Sequence, residues 1–173
     1  MTGILAICLA KGAVLVLMTL KQMVGMPVIC QDRQVGCVEN VVPDAFGRRI
    51  CGVVVRRGMG SAKWAPSAHV ALIGRRCVLL DRMPQSMPEM QKECPARVFL
   101  STGEYTGDVT DAVLRGGTLR LTALEVSAGP IDRLLGRRGY AADYHMAAEG
   151  MVVAKQLLSW AQLRCRLGEE ERR

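Results

Sequence analysis

Aromatic side chains are scarce in this chain: two Trp, three Tyr and two Phe make up 4% of its 173 residues. Few rings are left to stack against bases, and only Phe46 adjoins a basic triplet, which argues against a single-strand nucleic-acid platform. Histidine is scarcer, at His69 and His145 alone. Neither stands in a Gly-x-Ser-x-Gly or Cys-His context, so both are read as structural and no nucleophile with an imidazole base is expected. Seven cysteines (Cys8, Cys30, Cys37, Cys51, Cys77, Cys94 and Cys165) form no Cys-x-x-Cys pair. Structural zinc wants paired ligands at short spacing, so most of these thiols are read as small buried hydrophobes, kept reduced. Gly58-Met59-Gly60-Ser61-Ala62-Lys63 lacks the Gly-Lys-Ser/Thr ending of a phosphate loop. No catalytic residue, metal or cofactor is expected, and the chain reads as non-enzymatic.

Long apolar runs are missing too. Ile4 to Met18 is interrupted by Lys11 and Gly12 and falls short of the about 20 residues that span a bilayer. It has no signal-peptide cleavage site. Residues 1–19 are therefore expected to be a leader of doubtful status, a mis-set start or a poorly ordered segment. Contact with a membrane surface through this segment is the alternative. The expected location is the cytoplasm.

Acidic side chains are few in the first half. Between Leu20 and Leu80 nine basic residues face only Asp32, Glu39 and Asp44. From Ala96 to His145 six arginines are matched by six acids. The net charge of +7 thus sits in the first half, which favours an acidic partner. Three Gly-Arg-Arg triplets, at Gly47, Gly74 and Gly136, fall at expected turns, where arginines can make bidentate contacts to phosphate or carboxylate. Asp108 and Asp111 resemble a carboxylate pair, but a strand-edge hydrogen bond suits Asp111 better.

What the chain does have is an internal repeat. Gly36-Cys37-Val38-Glu39-Asn40-Val41-Val42 returns as Gly107-Asp108-Val109-Thr110-Asp111-Ala112-Val113. Each copy then turns into a second apolar stretch, Ile50 to Val55 and Leu119 to Val126. A repeat of this length is a supersecondary unit used twice. Strands are expected at Val28–Cys30, Val35–Val42, Arg49–Arg57 and Cys77–Leu80, and again near Arg97–Leu100, Glu104–Arg115 and Thr118–Val126. Trp64-Ala65-Pro66 reads as an edge, Ser67 as the cap of a short helical turn, and Tyr140–Tyr144 as a last strand. Pro84, Pro88 and Pro95 mark 81–95 as a linker. From Met146, apolar residues at three- and four-residue spacing predict a C-terminal amphipathic helix with a charged tail.

Gly25-Met26-Pro27-Val28, Val35-Gly36-x-Val38, Val41-Val42-x-Asp44, Gly47 and Gly52-Val53-Val54-Val55 together resemble a PRC-barrel domain. Trp64-Ala65-Pro66, Ile73-Gly74 and Cys77-Val78-Leu79-Leu80 are similar to that family's closing pattern. It is the small β-barrel shared by the photosynthetic reaction-centre H subunit and the C-terminal half of a ribosome maturation factor. The resemblance implies an all-β chain with a C-terminal helix and two tandem small barrels, 20–80 and 96–145, followed by 146–173. It implies a bacterial, non-enzymatic adaptor that docks a partner protein. The expected docking residues are Arg48, Arg49, Arg56, Arg57, Arg75 and Arg76. An RNA- or ribosome-associated assembly factor is the alternative, with nucleic acid as partner.

Overall fold

The computed structural model describes residues 17–44, 47–89, 96–147 and 150–170. Cys8, Phe46, Cys94 and most of the expected leader lie outside them. The chain is mostly β-sheet with a short C-terminal helix. In chain order the elements begin with β1 (Leu17–Thr19), α1 (Leu20–Met23), β2 (Pro27–Cys30), β3 (Arg33–Pro43), β4 (Ile50–Arg56) and β5 (Lys63–Pro66). A 3-10 turn (Ser67–His69), β6 (Val70–Ile73), β7 (Val78–Leu80) and β8 (Gln85–Ser86) follow. The second half holds β9 (Arg97–Leu100), β10 (Tyr105–Arg115), β11 (Leu121–Ser127), α2 (Pro130–Leu134), β12 (Gly139–Ala141), β13 (Tyr144–Met146), β14 (Met151–Ala154) and α3 (Trp160–Glu170).

The repeat is real and longer than its sequence signal. One sheet runs β6-β7-β2-β3-β4-β5-β8, the other β13-β14-β9-β10-β11-β12, with β1 added on β10. Six strands therefore recur in the same order. Within each copy the first strand pairs parallel with the last: Val28 with Val78, and Val98 with Val152. The two long strands also bulge at equivalent places, between Val38 and Asn40 and between Val109 and Asp111. The shared glycines have a steric cause. A Cβ at Gly36 would lie 2.6 Å from the Arg56 carbonyl oxygen, and one at Gly107 would run into that of Ser127.

Several expectations need correction. Most of the described cysteines are not buried: Cys30 is, whereas Cys51 and Cys165 are exposed. Residues 146–159 are not helix: Met151–Ala154 is β14, with Val152 and Ala154 buried in alternation, and the helix begins at Trp160. A parallel partner some fifty residues upstream overrides the local spacing, because β-branched Val152 and Val153 fit a pleated, half-buried surface. Ile131–Leu134 lies in the short helix α2. The expected linker contributes β8, which pairs with β5; its residues 90–95 lie outside the description. The end of the expected leader is a structural part: β1 pairs with β10, and α1 carries Met23 at 0% exposure. Thr19 and Gln22 close a capping box on that helix, satisfying two orphan N–H groups. The short turn after β5 takes no side-chain cap, so Ser67 does not cap it.

One apolar cluster spans both copies, joining Val28, Val53 and Val78 with Val98, Leu124 and Val152. A smaller one seats α3, through Leu163 and Leu167, on Val113, Ala123 and Tyr140. The halves thus share a core and do not stand apart on a linker. Among the described residues no helix is long and apolar enough to cross a membrane.

Candidate functional site: an arginine seam between the two copies

Where the copies meet, the backbones exchange a reciprocal pair of hydrogen bonds. Ile50 N donates to Leu119 O and Leu121 N to Arg48 O, both at 2.9 Å. Arg49 and Arg120 face each other between them as an antiparallel bridge. This is the non-hydrogen-bonded kind of pair, in which Cα atoms approach to about 4.5 Å and side chains lie closest. Each copy's turn also reaches the other's penultimate strand. Gly117 N donates to Ile73 O, and Tyr144 OH donates to Gly47 O at 2.5 Å.

The six arginines expected to dock a partner do not form one patch. Arg49 directly precedes β4 and Arg56 ends it, which puts them about 20 Å apart at the rise of an extended strand. At the far end, Arg56 is held by Glu39 at 2.6 Å, and its guanidinium keeps the Glu39 carboxyl below its ordinary range. Arg57 beside it is exposed. At the seam, Arg48 is exposed but held to the second copy: its Nη2 donates to Tyr144 O at 3.0 Å, and its guanidinium lies 5.6 Å from the Tyr144 ring centroid. Arg75 and Arg76 are exposed on the β6–β7 turn, which the Gly117–Ile73 bond sets beside the β10–β11 turn.

Two arginines of the second copy join them. Arg49, Arg115 and Arg120 line one groove of about 640 Å³ together with Ser67, Thr118 and Thr122. No acidic side chain is among the described residues that line it. Among the described residues, Arg49, Arg75, Arg76 and Arg120 have no side-chain partner, whereas Arg115 is engaged. The positive field is therefore not confined to the first copy. Sequence spacing offered one signal for this, since Arg49 and Arg120 are the same position of the repeat, 71 residues apart. Like charges directly opposite on paired strands destabilise the pairing. Three arginines, two of them without a side-chain partner, with three hydroxyls and no carboxylate can receive an anionic group with bidentate geometry.

Asp111 plays the local role expected of it. Its Oδ1 accepts the Ala112 N–H at 2.8 Å, and Asn40 does the same for Val41 at 2.9 Å. Asp108 instead accepts the Tyr105 hydroxyl at 3.0 Å. His69 sits in the 3-10 turn and His145 is exposed on β13. Compared with known proteins, the chain matches no family model and no curated protein.

Tyr144 carries a testable consequence of the seam. Burial pushes its phenol up from an ordinary 10.0 to about 12. The unfolded chain loses this proton first, so the contribution is complete below pH 10 and declines as pH rises toward 12. Tyr144→Phe should flatten that alkaline decline and lower stability near neutral pH by about 1 kcal/mol for the lost bond to Gly47. Urea melts of both proteins between neutral and strongly alkaline pH check it; parallel curves would refute the assignment.

Proposed function

We propose that this chain is a non-enzymatic β adaptor, two PRC-barrel-like units fused through a common core, which docks an acidic segment of a partner protein in the cytoplasm. The observation that carries the reading is the Arg49–Arg120 pair, opposed across the seam in a groove whose described lining holds no carboxylate. Folding gains nothing from that opposition, whereas an acidic strand or loop laid along it removes the repulsion and is steered there by the field. Arg75 and Arg76 extend the contact; Arg56 and Arg57, at the other end of β4, stand outside it. Arg48 holds the seam. The scarcity of aromatics beside these arginines favours a carboxylate-bearing protein over stacked bases.

The test is fluorescence anisotropy with labelled oligoglutamate, and with an oligouridylate RNA of the same length and charge. Oligoglutamate is expected to bind with an affinity that falls steeply with salt. Arg49→Ser with Arg120→Ser should weaken it about tenfold or more, and Arg56→Ser with Arg57→Ser by less than about twofold. Tighter binding of the RNA, or equal losses from the two pairs, would overturn the reading.

A further inference from the structure

The two copies act as each other's control, and at one row they differ in kind. In the first copy Asn40, Val54 and Trp64 lie side by side across β3, β4 and β5. In the second, the same three register positions on β10, β11 and β12 carry Asp111, Glu125 and Tyr140. Val54 is buried and uncharged. Its counterpart Glu125 is a carboxylate at 3% exposure. The fold plainly accepts valine there, and replacing a buried ion pair by apolar groups is often neutral or stabilising. Stability therefore does not account for Glu125.

Its hydrogen bonds point the same way. Oε1 accepts from Thr110 Oγ1 at 3.1 Å, and Oε2 from Arg138 Nη1 at 3.3 Å and from the Tyr140 hydroxyl at 3.4 Å. Bonds to an ionised carboxylate ordinarily close to about 2.5–2.9 Å. Glu125 is thus buried with three long contacts, and it lines a cavity of about 520 Å³. Tyr140 and Trp160 form an aromatic wall, with ring centroids 5.1 Å apart. Burial and the Glu125 charge push the Tyr140 phenol up, so it keeps its proton and donates.

The charges around the cavity select the ligand. Asp111 and Glu125 supply two anions, Lys21 and Arg138 two cations. Asp111 is already capped by the Ala112 and Lys21 backbone N–H groups, and the Lys21 ammonium is bound to Thr110 O at 2.6 Å. Glu125 and Arg138 remain as a weakly joined pair, one buried and the other half-exposed at the mouth. A bare cation entering here would meet Arg138 and Lys21, and a bare anion would meet Glu125. A ligand bearing both charges leaves neither uncompensated. We propose that this cavity binds a free amino acid, its ammonium on Glu125, its carboxylate on Arg138 and its side chain against Tyr140 and Trp160. Cavities of this size with a few convergent polar groups suit small molecules, and the aromatic wall favours an ammonium nearby.

The test is isothermal titration of the full chain with each of the twenty free L-amino acids, then with the decarboxylated amine and the deaminated acid of the tightest. At least one amino acid is expected to bind, and loss of either charge should weaken it about tenfold or more. Glu125→Val with Tyr140→Trp, which rebuilds the first copy's row, should abolish binding while leaving the melting curve in place. Should that variant fail to fold, Arg138→Gln keeps a donor to Glu125 and is expected to weaken the amino acid but not its decarboxylated amine. No heat from any amino acid, equal binding of the bare amine, or binding untouched by these substitutions would overturn the proposal.

Discussion

Gly107→Ala is expected to cost the fold about 3 kcal/mol or more, a fall of roughly 10 °C in melting temperature for a chain of this size. Two independent effects add at this position. Its φ is +139°, a conformation that residues with a Cβ rarely adopt. A Cβ would also collide with the carbonyl of Ser127 across the β10–β11 ladder. The colliding group is backbone in a paired strand, so it cannot swing aside as a side-chain tip would. Gly103 is the control. Its φ is +89° with nothing within 4 Å of a built Cβ, so alanine there should cost only about 1 kcal/mol. Thermal melts followed by circular dichroism compare the two; equal losses would mean that the close approach at Ser127 does not govern the position.

Met23→Ala should be the other large effect, about 2–5 kcal/mol as for long buried side chains elsewhere. Met23 is fully buried on a four-residue helix that packs against both β3 and β10, in the cluster that joins the two copies. The informative readout is where the loss is felt. Trp64 lies on β5 of the first copy, and Trp160 packs on Tyr140 of the second. Trp64→Phe and Trp160→Phe backgrounds therefore follow each half separately through urea denaturation. With one core, both transitions move together and by the same amount. A shift confined to one half would mean that the copies unfold as separate domains.

Much of the architecture could be read from residue order, for identifiable reasons. Gly36 and Gly107 mark the same crowded crossing of strands, and β-branched runs beside them made β3, β4, β10 and β11 legible. Strands whose partners are distant did not announce themselves. Met151–Ala154 is four residues long, too short for alternation to outweigh the helical spacing of the apolar residues that follow. α1 is barely one helical turn, too short for a period to repeat, and its identity rests on the Thr19–Gln22 box and on burial between strands. The arginines show the same division. The Gly-Arg-Arg triplets located turns, but only the fold reveals that Arg56 is spent on Glu39, seventeen residues away, and that Arg49 faces Arg120. Glu125 corresponds to Val54 at the same 71-residue offset, but its burial, which gives the difference its meaning, is set by the fold alone.

The reciprocal bonds through Arg48–Ile50 and Leu119–Leu121 join a segment to its own counterpart in the repeat, 71 residues along. A segment that meets its own equivalent, residue for residue, is the isologous contact of a two-fold dimer. Here both sides of that contact belong to one chain. While subunits are identical, every change occurs twice, and a residue on the axis must always face itself. Within one chain that constraint is lifted, and each half can carry its own residue at any position. Arg49 and Arg120 are alike where the copies meet, while Val54 and Glu125, away from that seam, differ in kind.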